Sequence, residues 1–180
     1  MAWQMDSGHS QVRFSVKHIM IARVHGSFQE FSASVQLDDS DLSKSEVQWT
    51  IQTASLTTHN AQRDHDLKSP LFFDVEQYPT IRFQSTTVAA AGKDRYNVSG
   101  DVTIKDVTRQ ETFEVEAEGP GQDMRGNRRW GFTVTGALSR KEYGLSWNAA
   151  LETGGVVIGD TVKVELDVEV MQLAAVGAPA

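Results

Sequence analysis

Near the end of the chain Val162, Val164, Leu166, Val168 and Val170 alternate with Lys163, Glu165, Asp167 and Glu169. A period of two puts the apolar set on one face of a β-strand, whereas a helix would spread it around the circumference. The four valines are also β-branched and pack better on a pleated surface than in a helix. A long, half-buried strand is predicted here.

The same alternation recurs at Trp130, Phe132, Val134 and Leu138, at Tyr96, Val98, Val102 and Ile104, at Phe113 and Val115, and at Val12, Phe14 and Val16. Shorter versions are Val47, Trp49 and Ile51, and Ile81 with Phe83. Val24 and Phe28 fall on even positions while Phe31, Val35 and Leu37 fall on odd ones. That parity switch predicts a β-bulge near Gln29 and Glu30, because without one half of the strand would turn its apolar face to water.

The count comes to about eight strands, separated by turn-like stretches such as Ala91-Gly92-Lys93-Asp94 and Gly119-Pro120-Gly121. About eight strands with one apolar face each suit a closed antiparallel barrel, which removes exposed edges. A two-sheet sandwich is the rival, since alternation alone does not separate a barrel interior from a sandwich core. Two connections exceed hairpin length, one from about Leu56 to Pro79 and one from Arg140 to Asp160. The first holds a short helix predicted over Ala61 to Leu67 with Asn60 as N-cap, then the apolar cluster Leu71-Phe72-Phe73. The second carries Tyr143, Leu145 and Trp147. Long connections of this kind often form lids, and these are expected to seal one barrel end.

The chain has 180 residues, within the range of one domain. One domain is expected over 1–173, with a frayed tail from Ala174 to Ala180. With no cysteine, disulfides and thiolate chemistry are excluded. A net charge of −7 argues against nucleic acid as a partner. The opening Met1-Ala2-Trp3-Gln4-Met5-Asp6 lacks the basic and apolar regions of a leader, and no run is long enough to span a bilayer, so a cytoplasmic location is expected.

Candidate chemistry is sparse. His59 and His65 lie six apart, on opposing faces of a helix and poorly placed for one ion. His18 and His25 could meet across a hairpin with His9 near, but no carboxylate shows ligand spacing beside them. Arg63-Asp64-His65-Asp66 reads as a solvated helix face in which an Arg–carboxylate bond pins the lid. Neither a Gly-x-Ser-x-Gly elbow nor a phosphate-cradling glycine loop occurs. No catalytic residue, metal or cofactor is expected. Arg125, Arg128 and Arg129 read as a solvated hairpin tip, with an anionic headgroup contact as the alternative. The inward aromatics either fill a core or line a cavity, and the pattern leaves both open.

Trp3 through Ser10, Phe14-Ser15-Val16-Lys17-His18, Gly26-Ser27-Phe28, Arg63-Asp64, Ser69 through Asp74, Tyr78-Pro79, Val107-Thr108-Arg109 and Ser139-Arg140 through Tyr143-Gly144 together resemble, in order and spacing, the YceI-like, polyisoprenoid-binding proteins. The resemblance departs at Ala33 and Asp106, where glycine is usual, at Tyr143, where phenylalanine is common, and at His25, where a basic residue is frequent. It implies an all-β, extended, eight-stranded lipocalin-like barrel with one short helix in a long connection. It further implies an isoprenoid-type lipid in an apolar channel, held by a carrier or reservoir rather than an enzyme. Phe14, Val16, Phe28, Phe31, Trp49, Phe83, Phe132 and Trp147 are then expected to line the channel. Arg63, Asp64, Leu71, Phe72, Phe73, Arg140 and Tyr143 are expected at its lid and mouth. A homodimer and transient membrane contact are the partner expectations, beside the lipid itself. The alternatives are a lipid-metabolising enzyme using Arg63, Asp64, His65 or Arg140, and a filled-core interaction module.

Overall fold

The computed structural model describes residues 2–151 and 157–174. Its strands are β1 (Trp3–Met5), β2 (Gln11–His18), β3 (Ala22–Phe28), β4 (Phe31–Gln36), β5 (Glu46–Gln52), β6 (Leu56–Thr57), β7 (Thr80–Gly92), β8 (Arg95–Ile104), β9 (Val107–Gln122), β10 (Arg128–Ser139) and β11 (Ile158–Gln172). All pairings are antiparallel, in the order β4-β5-β7-β8-β9-β10-β11-β2-β3-β6, and β1 adds to β11.

The ends of that path are neighbours in the chain. β3 runs on into β4 and β5 into β6, and the junction is stitched by Gln52 N–H donating to Glu30 O and Gln29 N–H to Ser55 O. With each of these two pairs taken as one bent strand, the sheet curls into a barrel of eight staves, as the pattern predicted. The higher strand count comes from the two breaks and from β1.

The break at Gln29 and Glu30 falls where the parity switch put it. Phe28 pairs with Leu56 and Phe31 with Ile51, so two residues on one side face four on the other, where a 3-10 turn over Thr53–Ser55 takes up the excess. The irregularity is a corner shared by two staves rather than a simple bulge. The expected turn at Gly119-Pro120-Gly121 lies instead inside β9: Glu118 pairs with Gly131 and Gly121 with Arg129, leaving Gly119 and Pro120 together opposite Trp130. Proline has no N–H to give the ladder, and a bulge accommodates that without ending the strand. The reversal falls at Asp123 to Asn127, where the Asp123 carboxylate accepts from the N–H groups of Arg125 and Asn127.

The helix α1 (Ala61–Lys68) forms in the first long connection, and Asn60 caps it by accepting from Arg63 N–H. No residue of it is buried, so packing contributes little and the cap supplies a fixed starting point. Ala174 N–H donates to Asn127 Oδ1, and the rest of the expected tail lies outside the described residues. Among the described residues no helix is long and apolar enough to cross a membrane.

Candidate functional site: an apolar channel along the barrel

The strand pattern sends one side chain in two towards the barrel axis, yet many of the inward residues are only half-buried. Val35, Val47, Phe83, Tyr96, Val98, Phe113, Val115, Phe132, Val134, Leu138, Val162 and Val164 all retain accessible surface while facing the interior. In a side-chain-filled barrel such positions would be closed to water. Here they border a cavity of about 680 Å³ that runs from Leu37 and Leu42 at one end to Leu71 and Trp147 at the other.

Glycines hold the lumen open. A Cβ on Gly26 would stand 2.3 Å from Phe14 Cζ, one on Gly100 2.2 Å from Gln84 O and 2.6 Å from Phe83 Cζ, and one on Gly136 2.5 Å from Phe113 Cδ1. An edge of each ring therefore lies over the bare backbone of a neighbouring strand, where a side chain would push it away. All three glycines occupy the inward parity of their strands, beside Phe28, Val98 and Val134. A glycine at an apolar position of a strand was the available signal, and it was missed.

Of the expected lining residues, Phe14, Val16, Phe28, Trp49, Phe83, Phe132 and Trp147 border the cavity. Phe31 does not: at the barrel corner its ring packs on Trp49, centroids 5.8 Å apart. At the mouth Arg63, Leu71, Phe72, Phe73, Arg140 and Tyr143 border it and Asp64 does not. Phe72 meets Trp147 at 5.8 Å and Phe73 meets Phe28 at 5.9 Å, so the two long connections close over one end together.

The polar groups at that end serve the fold. Arg63 donates from Nε to Thr58 Oγ1 at 2.8 Å and from Nη2 to Thr58 O at 2.9 Å, and the Asp64 carboxylate accepts from Thr58 N–H at 2.8 Å and from its hydroxyl at 2.5 Å. The expected Arg–carboxylate bond is replaced by two separate grips on Thr58. Burial works to raise the Asp64 pKa, but the Thr58 bonds outweigh it and leave it below the ordinary value.

Arg140 is buried, with 4% of its surface exposed. It donates to the carbonyls of Gly159, Leu145, Trp147 and Ile158, which ties β10, the loop and β11 into one corner. Desolvation lowers its pKa from the usual arginine value. Tyr143 is fully buried and donates to Glu111 Oε1 at 2.8 Å; burial first, then that carboxylate, raises its pKa.

The histidines do not assemble. His18 stands opposite Ala22 and His25 opposite Ser15, with His18 on the channel side and His25 on the outer parity. Asp6, His9 and Glu169 bring ligand atoms within 4.8 Å of one another. The cation there is already a guanidinium: Arg129 bonds Asp6 and Asp123 at 2.9 Å each, and Glu169 as well. Asp6 is held below its ordinary pKa chiefly by Arg129, then by His9. Arg128 pairs with Asp39. Of the three arginines read as a solvated tip, two are thus structural.

Residues 3–170 match the family model of the YceI-like domain. The chain belongs to the YceI-like family. Over 165 residues, 91% of this chain and 94% of the relative, it is 40% identical to a UPF0312 protein of Staphylococcus aureus. Its fold is similar to that of BcnA from Burkholderia cenocepacia, with a TM-score of 0.81 and 24% identity over 92% of this chain and 99% of the other. It is also similar to a polyisoprenoid-binding domain from Saccharophagus degradans implicated in plant cell wall breakdown, with a TM-score of 0.72 and 15% identity over 96% and 99% of the two chains. In this YceI-like chain the family segments quoted above are spread along the barrel: Trp3 through Ser10 begins beside the Val170–Gln172 end of β11, Phe14 to His18 lies in β2, and Ser69 through Asp74 and Ser139 through Gly144 belong to the lid and the mouth.

Proposed function

We propose that this protein binds one long apolar lipid of isoprenoid type inside the barrel and acts as its carrier or reservoir. The observation that carries this reading is the continuous channel whose walls are almost wholly apolar side chains. At roughly 30 Å³ per water-sized group, a cavity of 680 Å³ holds about 20 carbons, or about four isoprene units. Each methylene removed from water contributes about 0.8 kcal/mol, so one fully buried five-carbon unit contributes roughly 3–4 kcal/mol. Several units therefore suffice for tight retention even after the cost of ordering a flexible chain. Likeness in fold to a polyisoprenoid-binding domain, together with membership of the YceI-like family, supports the isoprenoid class.

Mass spectrometry of an organic extract from natively purified protein tests the reading. A long-chain isoprenoid near one per chain is expected; a protein that yields no lipid and takes none up from micelles overturns it. A homodimer, implied by the family resemblance, is checked on the same sample by light scattering.

A further inference from the structure

The channel is apolar up to its rim, and the apolar surface continues past it. Leu71 and Trp147 border the cavity and are at the same time 59% and 41% exposed. Beside them the β2–β3 hairpin turn puts Ile19, Met20 and Ile21 into solvent, the last 83% exposed. This turn is part of the same rim: Ile19 N–H donates to Val157 O, and His18, which lines the channel, pairs with Ile158. Patches of this kind that are continuous with a ligand cavity mark contact surfaces rather than ordinary scatter.

Two features say what the surface meets. First, the turn is built at a conformational cost. Ile19 and Met20 sit at φ 45° and 66°, a region that β-branched and bulky residues avoid. A hairpin needing only to reverse would use Asn-Gly there. Second, Lys17 and Arg23 face each other directly across the hairpin, immediately behind the apolar tip, and both are exposed. Like charges placed opposite one another repel. Among the described residues neither makes an ion pair. In a chain of net charge −7, this pair of cations flanking an apolar tip complements an anionic interface with an apolar interior.

We infer that the Ile19–Met20–Ile21 turn, with Leu71 and Trp147, is a docking edge that seats the channel mouth on an anionic lipid bilayer. The apolar tip enters the headgroup boundary while Lys17 and Arg23 contact the phosphates. Seated so, the mouth meets lipid tails without exposing them to water. The inference rests on the lipid-binding reading for its purpose but not for its measurement.

The chain has no cysteine, so a single environment-sensitive fluorophore can be placed on it by Met20→Cys or, as a control, by Met124→Cys. Met124 is fully exposed and belongs to the β9–β10 turn at the opposite barrel end. With phosphatidylcholine vesicles containing phosphatidylglycerol, the label at position 20 is expected to shift to the blue and the label at 124 to stay unchanged. Ile21→Asp should lower partitioning about tenfold, and Lys17→Gln and Arg23→Gln about fivefold each. No shift at position 20, or equal shifts at both sites, overturns the inference. A shift that grows with protein concentration in the absence of vesicles also overturns it, assigning the patch to a second copy. Extracted lipid is weighed separately. An empty chain that still docks overturns only the proposed function, and a loaded chain that ignores vesicles overturns only the docking edge.

Discussion

Gly26→Ala is expected to shorten the lipid that the protein carries. The new methyl would stand 2.3 Å from Phe14 Cζ and 2.8 Å from both Cε atoms, where ordinary contact begins at 3.4 Å. The ring must withdraw by about 1 Å or more. β3 backbone lies behind it, so the open direction is the channel. If the ring lifts off the wall, its six carbons enter the lumen and take up to roughly 180 Å³ at about 30 Å³ each. That is about a quarter of the 680 Å³ available, or about one isoprene unit. Overpacking costs about 1–3 kcal/mol, partly offset by about 0.4–1 kcal/mol from the stiffer unfolded chain. The melting temperature of the emptied protein should therefore fall by a few degrees, at about 2–4 °C per kcal/mol for this size. The assay is the chain-length distribution of extracted isoprenoid beside a thermal melt. Phe14→Leu in the same chain should restore the longer lipid, because leucine has no ring to displace. An unchanged length distribution in the single variant, or no recovery in the double, would refute the argument that bare glycine backbone keeps the lumen open.

Other consequences are more local. Arg140→Met removes the donor from four carbonyls, of which that of Leu145 is buried and the others partly so, and should cost about 1–3 kcal/mol in urea unfolding, and Arg140→Lys should not rescue it because an ammonium lacks the guanidinium's spread of donors; a loss under about 0.5 kcal/mol, the value of an ordinary surface change, would contradict the placement. Asp6 and Asp123 have lowered folded-state pKa values, Asp6 chiefly through Arg129 and Asp123 through Asn127 and then Arg129. Their contribution is thus complete above the unfolded value of about 3.9 and is lost as pH falls through the folded one. The stability gap between wild type and Arg129→Met should narrow from pH ~7 to pH ~3, and a gap that stays constant would count against the network. Asp64→Ala removes the one oxygen, Oδ1, that accepts from both the N–H and the hydroxyl of Thr58 and should cost about 1–3 kcal/mol, whereas Asp64→Asn keeps an oxygen there and should cost less. Neither variant should change the chemical identity of bound lipid, and a modified product seen only with Asp64 intact would favour an enzyme.

The staves were legible because burial of one face imposes a period of two, and the Val162 to Val170 alternation appears in β11 without a break. The corner at Gln29 and Glu30 was legible for the same reason, since parity has to change where the apolar face does. Gly119-Pro120-Gly121 misled because glycine and proline mark bulges as readily as turns, and only the pairing of Glu118 and Gly121 with β10 separates them. At the site, inward parity located most of the channel wall. It did not exclude Phe31, whose ring turns to Trp49 at the corner, because ring direction depends on neighbours that no local pattern encodes. The Thr58 grip on Arg63 and Asp64 was missed since charge proximity in sequence favoured an ion pair, while the connection folds a hydroxyl and two backbone groups into reach first. Whether the aromatics fill or line the barrel turned on Gly26, Gly100 and Gly136, which read as gaps in the pattern until each is seen beneath a ring.

The most direct test of the central claim is a crystal structure of the protein purified without detergent or organic solvent. Continuous, elongated density from Leu42 past Trp49 to the Trp147 mouth, in contact with the rings over the three glycines, is the expected result. A lumen closed by Phe14, Phe83 and Phe113 turned inward, or filled with ordered water, would contradict it.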